Sequence, residues 1–298
     1  MKFTEMMLRL TRVIFIRLMN QKMLFWLPDK PYLKLRYRLR FHKKLNLHHP
    51  QTFDEKLMWL MLYDRNPLYT QFVDKYRVRE YIAEKLGEEY LIPLLGVWDR
   101  SEDIDFSALP DKFVLKCNHD YKSVIICKDK NAFDFDFARK KLKKCLKTSL
   151  YKRTREWPYK NVKPKIIAEE YLGDNLYDYK ICCFNGKPDN VIVCTGRQKG
   201  DLRFYYFDLD WHFLRINTYG LNAPDDFTLP KPENLDEMIR IAEQCSRDTY
   251  FLRVDLYSVH HRVYFGELTF FPSAGVGRHH LPQTNIEFGD KLKLPFRK

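Results

Sequence analysis

The chain lacks glycine-rich segments and any pattern of paired cysteines. Its 298 residues include only 11 Gly and 15 Pro, which excludes collagen-like and other low-complexity chains. The seven cysteines are odd in number and form no CxxC pair, so the sequence predicts neither a disulfide framework nor a zinc knuckle. A reducing, cytoplasmic compartment is the expectation that follows. The GxSxG motif of serine hydrolases is also missing.

Apolar and basic residues are abundant instead. Hydrophobic residues make up 45% and aromatic residues 15% of the chain, which excludes intrinsic disorder. A chain of this length can bury the core of one large domain or of two ordinary ones. The formal net charge is +13, and residues 1–50 hold 12 of the 52 Lys and Arg with only Glu5 and Asp29 as acids. Most of the excess positive charge therefore belongs to an N-terminal segment, which we predict to be a basic amphipathic arm.

The first 25 residues contain too many basic side chains to span a bilayer, which requires about 20 mostly apolar residues. No small-residue cleavage site of a signal peptide follows them. Drawn as a helix, the segment places Lys2, Arg9, Arg12 and Arg17 on one side and apolar residues on the other. This pattern fits a helix at an anionic membrane surface. It fits equally well a helix that packs on the protein body with its arginines in water.

The next stretch, KLRYRLRFHKK at residues 34–44, interleaves bases with aromatics, a pattern that can contact nucleic acid phosphates. No recognisable nucleic-acid-binding motif follows it, so the sequence disfavours nucleic acid as a partner. A membrane surface or an anionic carbohydrate is the preferred interpretation.

Local signals place several elements in the rest of the chain. Thr52 and Glu55 form a capping box at the start of one helix, and Asp74 is the expected N-cap of a second helix that ends at Gly87. The pair Asn185-Gly186 predicts a tight hairpin turn. Further strands are expected at residues 91–97, 113–116, 124–127, 178–184, 191–194, 203–208, 251–257 and 262–270, and helices at 137–150 and 232–247.

The last two strands carry the clearest candidates for chemistry. Alternation along the first strand puts Arg253 and Asp255 on one face, and alternation along the second puts Glu267 and Thr269 on one face. If the register brings these faces together, two carboxylates and a hydroxyl meet beside an arginine. Hard oxygen ligands of this kind suit Mg²⁺. Taken alone, the residues also fit a surface ion pair across a hairpin.

Two lysines favour the metal interpretation. Lys116 ends an apolar strand, and Lys75 follows Asp74 at a helix start. Either lysine alone is more typical of a solvated surface. Together with a two-carboxylate metal site, they fit the binding of a nucleoside triphosphate, whose charge is offset by cations.

An ordered set of motifs resembles a known family, the ATP-grasp ligases, and within it the TupA-like branch associated with teichuronopeptide and surface-polysaccharide synthesis. The motifs are DKYRVREYI, FVLKCNH, IIAEEYL, DYKICCFNGK, RVDLY and YFGELTF, in that order. The resemblance implies an α+β, ATP-grasp fold with two α+β lobes that enclose a nucleotide cleft, preceded by a basic helical N-terminal arm. The implied division is an arm at 1–50, a mainly helical region at 51–110, a small lobe at 111–168 and a large lobe with the metal site at 169–298.

The same resemblance implies roles for individual residues. The implied nucleotide-binding positions are Lys75, Lys116, Glu169, Glu170, Leu172 and Asp178, the implied catalytic positions are Arg253, Lys180 and Arg197, and the implied metal ligands are Asp255, Glu267 and Thr269. The two lysines would contact phosphates, and the connector around Glu169 would hold the adenine. Two features differ from the common pattern. The loop at residues 118–123 contains no glycine, and Thr269 stands where many relatives have Asn.

The activity implied by the resemblance is an ADP-forming, ATP- and Mg²⁺-dependent ligation of a carboxylate to an amine through an acyl phosphate. The expected substrates are an amino acid or amine and a uronic acid of a capsule or other cell-envelope polysaccharide. The expected location is the cytoplasm, at the inner face of the membrane if the arm binds lipid. Two alternatives remain open: a glycosyltransferase of the same pathway, which would bind a UDP-sugar without ATP dependence, and a non-catalytic module that binds a membrane surface or a polyanion.

Overall fold

The computed structural model describes residues 24–174, 176–196, 200–277 and 280–295. Within these ranges the helices are α1 Asp29–Phe41, α2 Phe53–Tyr63, α3 Leu68–Val73, α4 Val78–Lys85, α5 Phe135–Leu146, α6 Leu150–Thr154, α7 Thr218–Leu221, α8 Leu235–Ser246 and α9 Pro282–Lys291. The strands are β1 Leu94–Trp98, β2 Phe113–Cys117, β3 Ile125–Cys127, β4 Ile166–Glu170, β5 Asp178–Phe184, β6 Lys187–Thr195, β7 Arg203–Phe207, β8 Phe213–Leu214, β9 Phe251–Val259 and β10 Arg262–Thr269.

The strands form two antiparallel sheets. The smaller sheet has the order β1-β4-β2-β3, and the larger has the order β10-β9-β5-β6-β7-β8. The chain passes from β4 of the small sheet to β5 of the large sheet between Glu170 and Asp178. The α+β class and the division into two sheet-containing parts agree with the sequence prediction.

Each sheet has its own apolar core. The small core lies between the small sheet and α5, where Leu115 of β2 and Leu142 of α5 are completely buried. The large core covers both faces of the large sheet. Helix α8 packs on one face beside Leu252, and α2 packs on the other face with Phe53 against Phe184. This double coverage explains why all seven side chains of β5 are buried.

Several local predictions are confirmed. The capping box of Thr52 and Glu55 is present in full at the start of α2. Asn185 and Gly186 both adopt positive φ and join β5 to β6. The prediction that Asp74 is the N-cap of the second helix is wrong, because Arg77 occupies that position; Asp74 instead accepts hydrogen bonds from the backbone N–H groups of Tyr76 and Arg77 in the turn before the helix. That helix itself begins at Val78, later than expected, because the turn precedes it.

The second half of the predicted N-terminal arm, from residue 29 onwards, belongs to the protein body. Helix α1 buries Tyr32, Leu33 and Tyr37 in the large core. Arg36 donates a hydrogen bond to the carbonyl of Thr154, and Arg40 donates to the carbonyls of Val276 and Gly277. The prediction of a separate arm over residues 1–50 is therefore wrong for this part, because backbone carbonyls of the same chain satisfy these arginines.

Residues 1–23, which carry the predicted amphipathic pattern, lie outside the described residues. None of the helices described is long and apolar enough to cross a membrane.

The predicted boundary between residues 168 and 169 falls inside β4, whereas the passage between the sheets begins after Glu170. All seven cysteines are free.

Candidate active site

The last hairpin brings its acids together by means of a β-bulge at Gly266. The register shifts by one residue between Phe265 and Glu267, which places Glu267 opposite Asp255 and Thr269 opposite Arg253. Without the shift, Glu267 would face the opposite side of the sheet, because side chains alternate along a strand. A Cβ atom at Gly266 would lie 2.9 Å from the backbone oxygen of Asp255, so a residue without a side chain is needed there.

Arg253 holds the acidic side chains of this face in place. Its Nε and Nη2 donate to the two oxygens of Asp255 at 2.7 and 2.8 Å, and Nη2 also donates to the Thr269 hydroxyl at 3.1 Å. Glu267 Oε1 lies 3.5 Å from the same nitrogen and accepts from Thr269 Oγ1 at 3.3 Å. One guanidinium therefore contacts every predicted metal ligand.

Lys180 enters the same network from the neighbouring strand β5. It is paired with Asp255 in the sheet, and its ammonium donates to the carboxylates of Asp178, at 2.9 Å, and of Asp255. The side chain of Lys180 is only 9% exposed, and those of Asp178 and Asp255 are 6% and 3% exposed. Such buried charges are tolerable only because they are paired with one another.

Lys75 connects the large sheet to the loop that follows β2. Its Nζ lies 3.1 Å from Glu267 Oε2 and donates to the backbone carbonyl of Asp120 at 3.0 Å. Its backbone N–H donates to the carbonyl of Asn118, two residues after Lys116. A short series of contacts thus joins the predicted phosphate-binding residues to the predicted metal ligands.

The glycine-free loop at residues 118–123 is held by side-chain hydrogen bonds. Asn118 donates to Asp74 at 2.8 Å and accepts from the backbone N–H of Lys165 at 2.7 Å. Ser123 accepts from the backbone N–H of Cys117 at 2.7 Å and donates to Asp120. This loop therefore has a defined conformation without glycine, fixed by buried polar contacts.

On the small sheet, Lys116 forms an ion pair with Glu169. Its Nζ lies 2.5 Å from Glu169 Oε2, while Oε1 of the same carboxylate lies 3.7 Å from Arg79 of α4. The backbone N–H of Glu170 donates to the carbonyl of Pro93, and Leu172 is partly exposed in the segment after β4. Of the predicted connector, Glu169 and Glu170 therefore end β4 and only Leu172 lies in the passage between the sheets, and the carboxylate of Glu169 is paired with cations of the same chain.

The electrostatic balance keeps Glu267 and Lys180 ionised. Burial raises the pKa of Glu267, but the nearby charges of Lys75, Lys180 and Arg253 outweigh this effect and leave the pKa well below its usual range. Burial lowers the pKa of Lys180, and the carboxylates of Asp255 and Asp178 outweigh it, so the pKa is raised. Both groups are therefore charged at neutral pH.

The donor set on β9 and β10 fits Mg²⁺. Asp255 and Glu267 are directly opposite each other on adjacent strands and offer carboxylate oxygens, and the hydroxyl of Thr269 donates a hydrogen bond to Glu267. Oxygen donors of this type, with few protein carboxylates, match the preference of Mg²⁺. Lys75 and Arg253 both contact Glu267, so a metal ion there would compete with these two cations.

The structure also shows residues that the sequence interpretation missed. A cavity of about 110 Å³ lies beside Lys180 and Arg253, with Asp54 of α2 and Tyr206 of β7 in its walls. No local sequence signal marks it, because its walls come from distant parts of the chain. Arg79, which pairs with Glu169, lies in the DKYRVREYI motif, where no local signal distinguishes it from Arg77.

The predicted site residues form two groups. Direct contacts join the first group, which consists of Lys75, Asp178, Lys180, Arg253, Asp255, Glu267 and Thr269. Lys116 and Glu169 form the second group, on the small sheet. Arg197 lies outside the described residues. The functional roles assigned to these residues stay predictions.

A family model described as TupA-like ATPgrasp matches residues 55–293. No curated protein matches the chain. Similar solved structures include a D-alanine–D-alanine ligase from Bacillus anthracis complexed with ATP, with 16% identity, a TM-score of 0.44 and coverage of 74% of this chain. The chain spans 65% of the length of that ligase.

Two further structures have comparable scores. A D-alanine–D-alanine ligase from Helicobacter pylori has 16% identity and a TM-score of 0.43, with coverage of 83% of this chain and 71% of that one. A D-cycloserine synthetase has 15% identity and a TM-score of 0.41, and the match covers 74% of this chain and 67% of the synthetase.

Proposed function

The chain belongs to the TupA-like ATP-grasp family, as its motifs predicted, and on that basis we propose that it is an ATP-dependent ligase that joins a carboxylate to an amine. ATP and Mg²⁺ are the cofactors of ATP-grasp enzymes. The observation that carries the proposal is the convergence of Lys75, Lys180 and Arg253 on the carboxylates of Asp255 and Glu267. This arrangement suits a triphosphate, whose negative charge needs several cations.

Nucleotide binding is assigned to the space between the two sheets. Lys116 would exchange its contact with Glu169 for a phosphate oxygen, and Glu169 would keep its contact with Arg79. Lys75 would contact phosphate from the other side, because it already lies between Glu267 and Asp120. The backbone after β4, near Glu170 and Leu172, is the proposed contact for adenine.

The reaction we propose has two steps. The substrate carboxylate attacks the γ-phosphate of ATP, which gives an acyl phosphate and ADP, and an amine then displaces phosphate to form an amide. Asp255, Glu267 and Thr269 would hold Mg²⁺, which offsets phosphate charge when bound. Arg253 stabilises the negative charge that develops on oxygen in both steps, since Asp255 fixes its guanidinium in one orientation. Lys180 supplies a second fixed positive charge nearby, and Arg197 is proposed to contact phosphate or substrate.

The proposed substrates are an amino acid or amine and a uronic acid carboxylate of a surface polysaccharide. The TupA-like family assignment supports this choice. The assay uses purified protein with ATP, Mg²⁺, an amine and a uronic acid. We expect ADP, phosphate and an amide, whereas AMP and pyrophosphate would contradict the acyl-phosphate route.

Association with an anionic membrane surface through residues 1–25 is the second part of this proposal. The buried side chain of Arg155 donates hydrogen bonds to the carbonyls of Leu24, Phe25 and Leu27. A deletion of residues 1–23 therefore spares the contacts that attach this end of the chain to the body. We expect the deletion to weaken binding to anionic liposomes and to leave ATP binding intact; unchanged liposome binding would remove the membrane assignment.

A further inference from the structure

The cavity beside Arg253 has one acidic side chain among aromatic walls. Its aromatic lining comes from Phe53, Phe204, Tyr206, Phe251 and Phe288. Lys180 and Arg253 lie at its border with the charge network, and Asp54 provides the carboxylate. A binding site of this kind accepts a small molecule with an apolar body and one charged end.

The Lys and Arg side chains that the structure describes in the cavity walls are neutralised by carboxylates, whereas Asp54 has no such partner among the described residues. Lys180 is neutralised by Asp178 and Asp255, and Arg253 by Asp255 and Glu267. Asp54 forms no ion pair within the described ranges. Arg40 attracts the Asp54 carboxylate electrostatically, and the Arg40 guanidinium donates hydrogen bonds to backbone carbonyls. An incoming cation therefore finds one carboxylate to pair with and two bases that are already paired.

The carboxylate of Asp54 is fixed in position. It is only 5% exposed, accepts a hydrogen bond from Asn285 Nδ2 at 3.0 Å and lies in the first turn of α2, which favours negative charge. Its backbone N–H donates to Oδ1 of the same asparagine at 3.1 Å. Burial raises the pKa of Asp54 to about 7, a value that suits a group that exchanges protons at neutral pH.

We propose that this cavity is the amine subsite of the ligase and that Asp54 binds the substrate ammonium and takes a proton from it. The assignment rests on the proposed function. The aromatic walls select a primary amine with a compact apolar body rather than a sugar, which would require many more hydrogen-bonding groups. Aromatic faces also attract an ammonium ion.

The proton balance of the second step is complete with this assignment. The substrate ammonium loses one proton to Asp54, and its nitrogen then attacks the carbonyl carbon of the acyl phosphate. A C–N bond forms and the C–O bond to phosphate breaks. The second proton lost by the nitrogen leaves with the phosphate as hydrogen phosphate.

The test measures the binding of benzylamine and of its uncharged analogue benzyl alcohol to the full chain by calorimetry. We expect benzylamine to bind at least about 10-fold more tightly to the wild type, and Asp54→Asn to remove the difference. The matched control is Asp236→Asn, which changes an exposed acid in the first turn of α8 and should change nothing. Equal binding of the two probes to the wild type would overturn the assignment.

A pH series on the wild type keeps the test decisive if Asp54→Asn fails to fold. Benzylamine stays protonated near neutrality, so its affinity should rise as pH increases through about 7, where Asp54 ionises. Arg40 and Glu55 act on Asp54 electrostatically, and His280, Lys180 and Arg253 share the cavity. The affinity of the variant His280→Gln for benzylamine should therefore still increase with pH. An affinity that does not change with pH in that variant would refute the role of Asp54.

ATP affinity is measured in the same samples. If ATP binds but benzylamine shows no preference, the amine subsite is wrong and the proposed ligase function stands. If ATP does not bind, the ligase function fails, whatever the cavity binds.

Discussion

The two sheets hold their charged side chains in different ways. On the large sheet, Lys180 and Arg253 share the carboxylate of Asp255, which is almost completely enclosed. On the small sheet, Lys116 has one acidic partner, Glu169, which also contacts Arg79. A mutually paired network fixes positions before any ligand arrives, whereas a single pair can exchange its partner for a ligand. The large sheet should therefore control stability and reaction rate, and the small sheet should control nucleotide affinity.

The largest effect on stability is expected from Asp255→Asn. The change leaves Lys180 and Arg253 short of a buried acidic partner, which costs about 3–5 kcal/mol in the free energy of unfolding. Urea denaturation measures it, with the fully exposed Asp225→Asn as control. A decrease of less than about 1 kcal/mol in the free energy of unfolding would mean that Lys180 and Arg253 do not depend on Asp255 for their stability in the buried site.

Glu267→Gln tests whether the large sheet controls the reaction rate. The side chain is 30% exposed, so the fold should persist, but one charged ligand for Mg²⁺ is lost. We expect ADP formation to fall at least about 100-fold. Glu233→Gln, on an exposed side chain paired with His261, provides the control. Full activity would remove Glu267 from the metal site.

Gly266→Ala tests whether the bulge positions the acids. A Cβ atom would meet the backbone oxygen of Asp255 at 2.9 Å, so β9 and β10 must separate locally. We expect a loss of about 1–3 kcal/mol in stability. In Gly277→Ala the nearest atom is 3.9 Å away, so that control should unfold at the same denaturant concentration as the wild type. Equal stability of all three proteins would contradict the role of the bulge.

The smallest effect is expected on the small sheet. Lys116→Met removes a proposed phosphate contact, and we expect ATP to bind about 10-fold more weakly, equivalent to about 1.4 kcal/mol. Lys128→Met is the matched control, because Lys128 also pairs with an acid of the same region, Asp174, and is exposed. If Lys116→Met unfolds as easily as Asp255→Asn, the distinction between the sheets is wrong.

Signals between neighbouring residues predicted much of the fold. The capping box of Thr52 and the turn at Asn185 depend on contacts within four residues, and both appear as expected. The prediction that the basic stretch in α1 belongs to a separate arm was wrong because its contacts are long-range. Arg36 and Arg40 donate to carbonyls more than 100 residues away, which no local pattern reveals.

The candidate site shows the same limit. Alternation predicted which side chains of β9 share a face, but the bulge at Gly266 decided that Glu267 lies on the face of Asp255. The contact between Lys75 and Glu267 and the walls of the cavity around Asp54 also depend on distant segments.

The sequence by itself determined the element types, the tight turns and the set of charged residues, because these follow from backbone preferences and side-chain alternation over short distances. Only the tertiary structure decided which charges neutralise one another and which buried carboxylate has no ion-pair partner among the described residues. The reason is physical: a buried charge is stabilised by whichever opposite charge packs against it, and that partner is chosen by the fold.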